Sequence, residues 1–137
     1  MAGSKAQYLQ NAALNTVLGG PQFTLPSFVH IALSTAAFTS TATGSAMTEV
    51  NAGGYSRVQV QNNTSNWPNA SNGSKANNAV FTFTSATANW GTVLSFYIVD
   101  ASSAGNVLYG ADLTTSRTIN SGDTASFAVG SITLTEN

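Results

Sequence analysis

The sequence predicts a mainly β, single-domain fold: an antiparallel β-sandwich of jelly-roll or immunoglobulin-like type, with one N-terminal α-helix. Three observations predict it. Seven or eight short apolar or alternating segments recur at roughly 8–12-residue spacing with turn signals between them. Ser, Thr and Asn, at 17, 18 and 14 residues, make up over a third of the 137-residue chain. Thr favours strands, and Asn and Ser favour turns. Charge is scarce: Asp, Glu, Lys and Arg make up 7% of the chain, where about 25% is usual. One domain is expected over residues 1–137, with the helix at about 4–18 and the sandwich at about 28–135.

The helix comes first. Ser4 is a candidate N-cap, and Ala6, Leu9, Ala13 and Val17 recur at spacings of three and four beside Leu14 and Leu18. Gln7, Gln10, Asn11 and Asn15 form its polar face. Gly19-Gly20 stops it, and Pro21 prevents continuation. From Phe28 the period switches to two, and Val29, Ile31 and Leu33 share one face of a strand over 28–34. Residues 36–46 read as a loop or a weakly paired extended arm. A strand over 55–61 places Val58 and Val60 inward and Arg57, Gln59 and Gln61 outward. Residues 62–77 form a polar loop around Trp67-Pro68 with an Asn72-Gly73 turn signal.

Shorter strands follow. Residues 78–83 alternate Ala79, Phe81 and Phe83, and residues 93–100 are apolar on both faces, the mark of a central, doubly covered strand. Ser103-Ala104-Gly105-Asn106 reads as the turn into a strand over 107–112. Segments 117–120, 125–127 and 131–135, with a Gly122-Asp123 turn, complete the series.

Composition excludes several classes of function. Four Lys and Arg against five Asp and Glu leave a net charge of −1. That cannot neutralise a row of phosphates, so nucleic acid is not an expected partner. Attachment to a membrane by leaflet electrostatics is not expected either. The longest apolar stretch, Phe96 to Val99, is far shorter than the ~18–20 residues of a spanning helix. The hydrophobic fraction of 42% and mean hydropathy of +0.05 do not match disorder. Without cysteine there is neither a disulfide nor a thiolate metal site. Met1 to Gln7 lacks an apolar signal region, so synthesis in a cytoplasm without the secretory route is expected.

Motifs for chemistry are sparse, and no enzyme and no cofactor are expected. His30 is the only histidine and sits in a strand pattern, so it lacks the partners that a triad or a metal site needs. Asp100, Asp112 and Asp123 fall at strand ends or turns, where they cap N–H groups, with Arg57 and Arg117 as natural ion partners. No calcium-loop pattern occurs. Gly53-Gly54 precedes a strand rather than a helix, unlike a phosphate loop. The three Asn-x-Ser/Thr matches at Asn62, Asn69 and Asn72 reflect abundance. Trp90 is expected to close one end of the core. Trp67, in its polar loop, is either exposed, stacking on sugar or anchoring a protein, or folded back onto the domain.

In order and spacing, the chain resembles a family of small tailed-bacteriophage virion proteins, commonly labelled tail fibre or minor tail proteins. The likeness begins with Tyr8-Leu9 through Leu14-Asn15, Val17-Leu18-Gly19-Gly20 and Val29-x-Ile31-Ala32-Leu33-Ser34-Thr35. It continues through Gly53-Gly54-Tyr55-x-Arg57-Val58, Trp90-Gly91-Thr92-Val93 and Ile98-Val99-Asp100-Ala101. Leu113-x-x-Ser116-x-Thr118 and Gly122-Asp123-Thr124-x-Ser126-Phe127-x-x-Gly130 complete it. The Asn-rich loop around Trp67 departs most from the pattern. The resemblance implies a phage structural protein with no catalytic residues to carry over.

Size, the sandwich pattern and the lack of repeats or heptads favour a capsid decoration (cement) protein. It would sit on the virion as a homo-oligomer bound to the major capsid protein. Tyr8, Leu9, Ala13, Val17 and Trp67 are the expected contact residues. Arms such as 36–46 are expected to order on a partner's sheet edge. The alternative is a tail component, a fibre-associated adhesin or baseplate module binding glycan through Trp67. Less expected is a carbohydrate-active enzyme or calcium-dependent lectin.

Overall fold

A computed structural model describes residues 2–136, so Met1 and Asn137 of the expected domain lie outside the described residues. The chain runs β1 (Ala2–Lys5), α1 (Gln7–Val17), β2 (Phe28–Ser34), β3 (Val58–Gln61), β4 (Ser74–Ala76), β5 (Phe81–Thr82), β6 (Gly91–Val99), β7 (Val107–Ile119), β8 (Ser126–Phe127) and β9 (Thr133–Thr135). Seven strands form one curled sheet in the order β3-β2-β6-β7-β1-β9-β4, and β5 with β8 forms a second, two-stranded layer. The fold is mainly β with one helix and sandwich-like, as expected. All strand pairs are antiparallel except β1 with β9.

The N-terminus departs from expectation. Ser4 does not cap the helix but pairs with Gly110 in β1, between β7 and β9. Two flanking strands satisfy more backbone groups at residues 2–5 than a first helical turn would. The helix cap therefore falls two residues later, at extended Ala6, without a side-chain hydrogen bond. A Cβ at Gly3 would lie 2.7 Å from the Leu134 side-chain methyl, which would have to shift to admit it. The helix stops as the sequence indicates. Gly19 adopts φ +83° and the Gly20 N–H reaches the Asn15 carbonyl at 2.7 Å, a Schellman closure.

The β2-β6-β7 centre is covered on both faces, because apolar side chains alternate to either side of these strands. Val29, Ile31, Leu33, Phe96, Ile98 and Leu108 join the main core. There Phe127 meets Phe96 edge-on at 5.5 Å, and Trp90 meets Tyr55 at 5.3 Å. Trp90 donates its indole N–H to the Gly53 carbonyl, closing one end of the core as expected. Ala32, Tyr97, Val99 and Val107 face a second cluster with Met47, against which Phe38 and Ala42 pack. The 36–46 segment is thus a loop folded over its own sheet. Segments 107–112 and 117–120 are one strand, β7, rather than two. Pairing with β6 breaks after Asp112 and resumes at Arg117, leaving a bulge at Leu113–Ser116 opposite Leu94.

Arg57 reverses its expected orientation. It is buried, and all five guanidinium N–H groups have acceptors. Nε and Nη2 grip Glu49 at 2.8 and 2.9 Å. Nη1 donates to the carbonyls of Ala101 and Ala104 at 2.8 and 2.9 Å, and Nη2 also to that of Gly44 at 3.0 Å. Tyr55 donates to the same carboxylate at 2.5 Å and accepts the Leu33 N–H at 3.1 Å. Tyr55 and Arg57, two residues apart, thus converge on Glu49 instead of facing water. Burial and the adjoining carboxylate push the Tyr55 hydroxyl well above its usual range.

Arg57→Ala would leave three carbonyls without their donor and the Glu49 carboxylate with only the Tyr55 hydroxyl, and a cost of about 3–5 kcal/mol is expected, read as a lower urea midpoint. Arg57→Lys recovers only part of this, because an ammonium cannot reproduce the planar fork. His30 is buried, and burial foremost, then Arg57, lowers its pKa below 6.5, with Asp100 opposing. A base depressed in the folded state contributes stability that is complete above its unfolded pKa and lost as pH falls toward the folded one. Thermal melts should therefore fall below about pH 6.5, and His30→Gln should flatten that step.

Candidate functional site

The carboxylates are engaged within the chain. Glu49 is held by Arg57 and Tyr55. Asp100 accepts the Asn106 N–H at 2.7 Å and Asp123 the Asn120 N–H at 2.8 Å, both capping turns as expected. Asp112 instead caps the arm, accepting the Phe38 N–H at 2.7 Å. Lys5 pairs with Glu136 at 2.6 Å, and the Tyr109 hydroxyl donates to Glu136 at 3.1 Å. Burial, then Glu136, pushes that hydroxyl up to about 12. Arg57 thus pairs with a glutamate, not with an aspartate as the sequence suggested. Arg117 has no carboxylate within 4.0 Å among the described residues. Among those residues there is also no group of three His, Asp or Glu placed to hold a metal ion. Among the described residues no helix is long and apolar enough to cross a membrane.

An apolar cleft of about 460 Å³ lies beside α1. Leu9 and Ala13 form its helical wall, Ile98, Leu108 and Leu134 its floor, and Trp67 with Ala70 the opposite wall. Phe23 and Leu25 close one side, because the chain doubles back after the helix and the Phe23 N–H meets the Thr16 hydroxyl at 2.7 Å. Lys5, Lys75 and Glu136 are the charged lining residues.

Of the expected contact residues, Leu9, Ala13 and Trp67 meet at this cleft, whereas Tyr8 and Val17 lie on the outer surface of α1. Trp67 is not exposed. It is 5% accessible and packs against Phe81 at 5.4 Å, so its face is not free to stack on a sugar. Its loop is polar in sequence, but the Asn63 carbonyl and side chain turn the chain inward by accepting the Trp67 and Asn66 N–H groups. The Trp67 indole N–H is buried without a hydrogen-bond partner.

Beside the cleft, Leu14, Val17, Leu18 and Leu25 are 60, 76, 77 and 69% exposed. No Asp, Glu, Lys or Arg occurs from residue 6 to residue 48, so the helix, the segment after it and the arm carry no full charge. The sequence reading missed Phe23, Leu25, Lys75, Tyr109 and Glu136. Phe23 and Leu25, alternating between Pro21 and Pro26, were the available signal. The others come together only through the pairing of β1, β4, β7 and β9.

The uncharged helix face thus stands on a β-rich scaffold. The family model described as podophage GP4 fiber I protein gp80 matches residues 4–135, and the chain belongs to that family. It is thus a member of a phage virion protein family of the fibre type. No curated protein matches the chain.

Trp67→Ala is expected to cost about 3–5 kcal/mol by emptying a core site, read as a lower melting midpoint. Trp67→Phe, which removes the unpartnered N–H and keeps an aromatic ring, should cost markedly less.

Proposed function

We propose that the chain is a non-catalytic, multi-copy structural subunit of a phage particle, attached within the fibre assembly through the uncharged face of α1. The observation that carries this reading is the exposed Leu14, Val17, Leu18 and Leu25 cluster inside a 43-residue stretch without charge. Interface cores are depleted in charge, and uncharged polar groups cost less to desolvate than ions. Contiguous exposed apolar surface on a small protein marks an interaction site. The family's fibre description favours the fibre over the shell. The engagement of each carboxylate by the chain's own donors supports a role without acid–base chemistry.

A second reading, a decoration protein on the major capsid protein, rests on the same face. Repeated weak contacts on a symmetric lattice multiply into tight attachment. Homo-oligomerisation on the particle fits both readings.

Gold labelling of an epitope-tagged chain on intact particles separates the two. Label confined to the fibre-bearing vertex is the expected outcome, and label spread over the shell supports decoration. Val17→Asp with Leu18→Asp should lower the number of particle-bound copies at least tenfold while leaving the melting midpoint of the purified protein unchanged.

A further inference from the structure

We propose that the cleft beside α1 receives a segment of a different virion subunit, one that inserts large apolar side chains and sets a carboxylate against Lys75. This rests on the docking reading above and names the chemistry of the partner.

The cleft, about 460 Å³ and walled by Leu9, Ala13, Phe23, Leu25 and Trp67, has the size and apolar lining of a preformed binding site. Its charge is unlike that of the rest of the molecule. Two of the chain's four basic residues line it, against one of its five acids, in a protein of net charge −1. Glu136 is already taken by Lys5 and by Tyr109. Lys75, on β4, has no carboxylate within 4.0 Å among the described residues. An acid on the occupant would complete the pair in a partly desolvated setting, where charge-assisted hydrogen bonds are strong.

Leu25, which lines the cleft, is itself exposed, as are Val17 and Leu18 on the adjoining helix end, so the apolar surface open to the same polypeptide partner extends beyond the cleft. A second copy docking by its own α1 face is disfavoured, because residues 6–48 hold no carboxylate to offer Lys75.

Photo-crosslinking on assembled particles tests this. A benzoylphenylalanine replaces Ala70, in the cleft wall, or Leu18, on the outer face, and the crosslinked peptides are sequenced. The expected result joins Ala70 to a peptide of another virion protein that carries large apolar residues beside an Asp or Glu. Lys75→Glu should lower particle-bound copies about tenfold, and Lys75→Arg should retain them, with melting midpoints unchanged. Crosslinks from Leu18 but none from Ala70 would overturn the cleft proposal and leave the docking reading standing. So would Ala70 crosslinks to a second copy or to lipid, or equal loss with Lys75→Arg. Crosslinks from neither position would sink both.

Discussion

The five-donor engagement of Arg57 is the interaction on which the rest of the molecule depends. The guanidinium ties the end of the arm at Gly44 and the nearby Glu49 to the sequence-distant β6–β7 turn at Ala101 and Ala104. With these joined, the arm lies flat across the sheet, and Phe38, Ala42 and Met47 seal the second face over Tyr97 and Val99. The closure leaves no room for alternatives. A Cβ on Gly44 would come within 1.9 Å of the Ala104 carbonyl, and one on Gly110 within 2.4 Å of the Phe38 ring. A buried ion pair is a weak source of net stability but a strong source of specificity once its hydrogen bonds are complete. Here they are complete, and the pair sets where the arm goes.

That use of charge explains the surface. A chain with only nine charged residues spends seven of them on internal order: the Arg57–Glu49 and Lys5–Glu136 pairs and the caps at Asp100, Asp112 and Asp123. Little charge remains to keep copies apart in solution, a composition that promotes association. The uncharged α1 face is the surface on which the proposed attachment rests, and membership of a phage fibre family accords with that proposal.

Much of this was legible in the residues. The strand over 28–34, the doubly covered 93–100 segment, the turns at Asn72-Gly73 and Gly122-Asp123 and the Gly19-Gly20 stop all express local periodicity or backbone permissiveness, which neighbours in sequence settle. The residues left Trp67 open between an exposed and a folded-back position, because its neighbours are polar and the apolar contact that decides for the core, Phe81, lies across a loop. Arg57 was misplaced for the same reason. Alternation alone puts it outward with Gln59, and only the carbonyls of Ala101 and Ala104, more than forty residues away, make an inward arginine favourable.

The sequence by itself determined the β-rich class, the single helix, the central strand and the scarcity of charge that limits what the protein can bind, because these follow from composition and short-range period. Tertiary structure alone decided that residues 2–5 form a strand between β7 and β9, that the arm folds back on its own sheet, and that Leu9, Ala13 and Trp67 share one cleft with Lys75. Each of these depends on long-range backbone pairing or on a buried polar group finding partners far along the chain, and neither leaves a signature in local sequence.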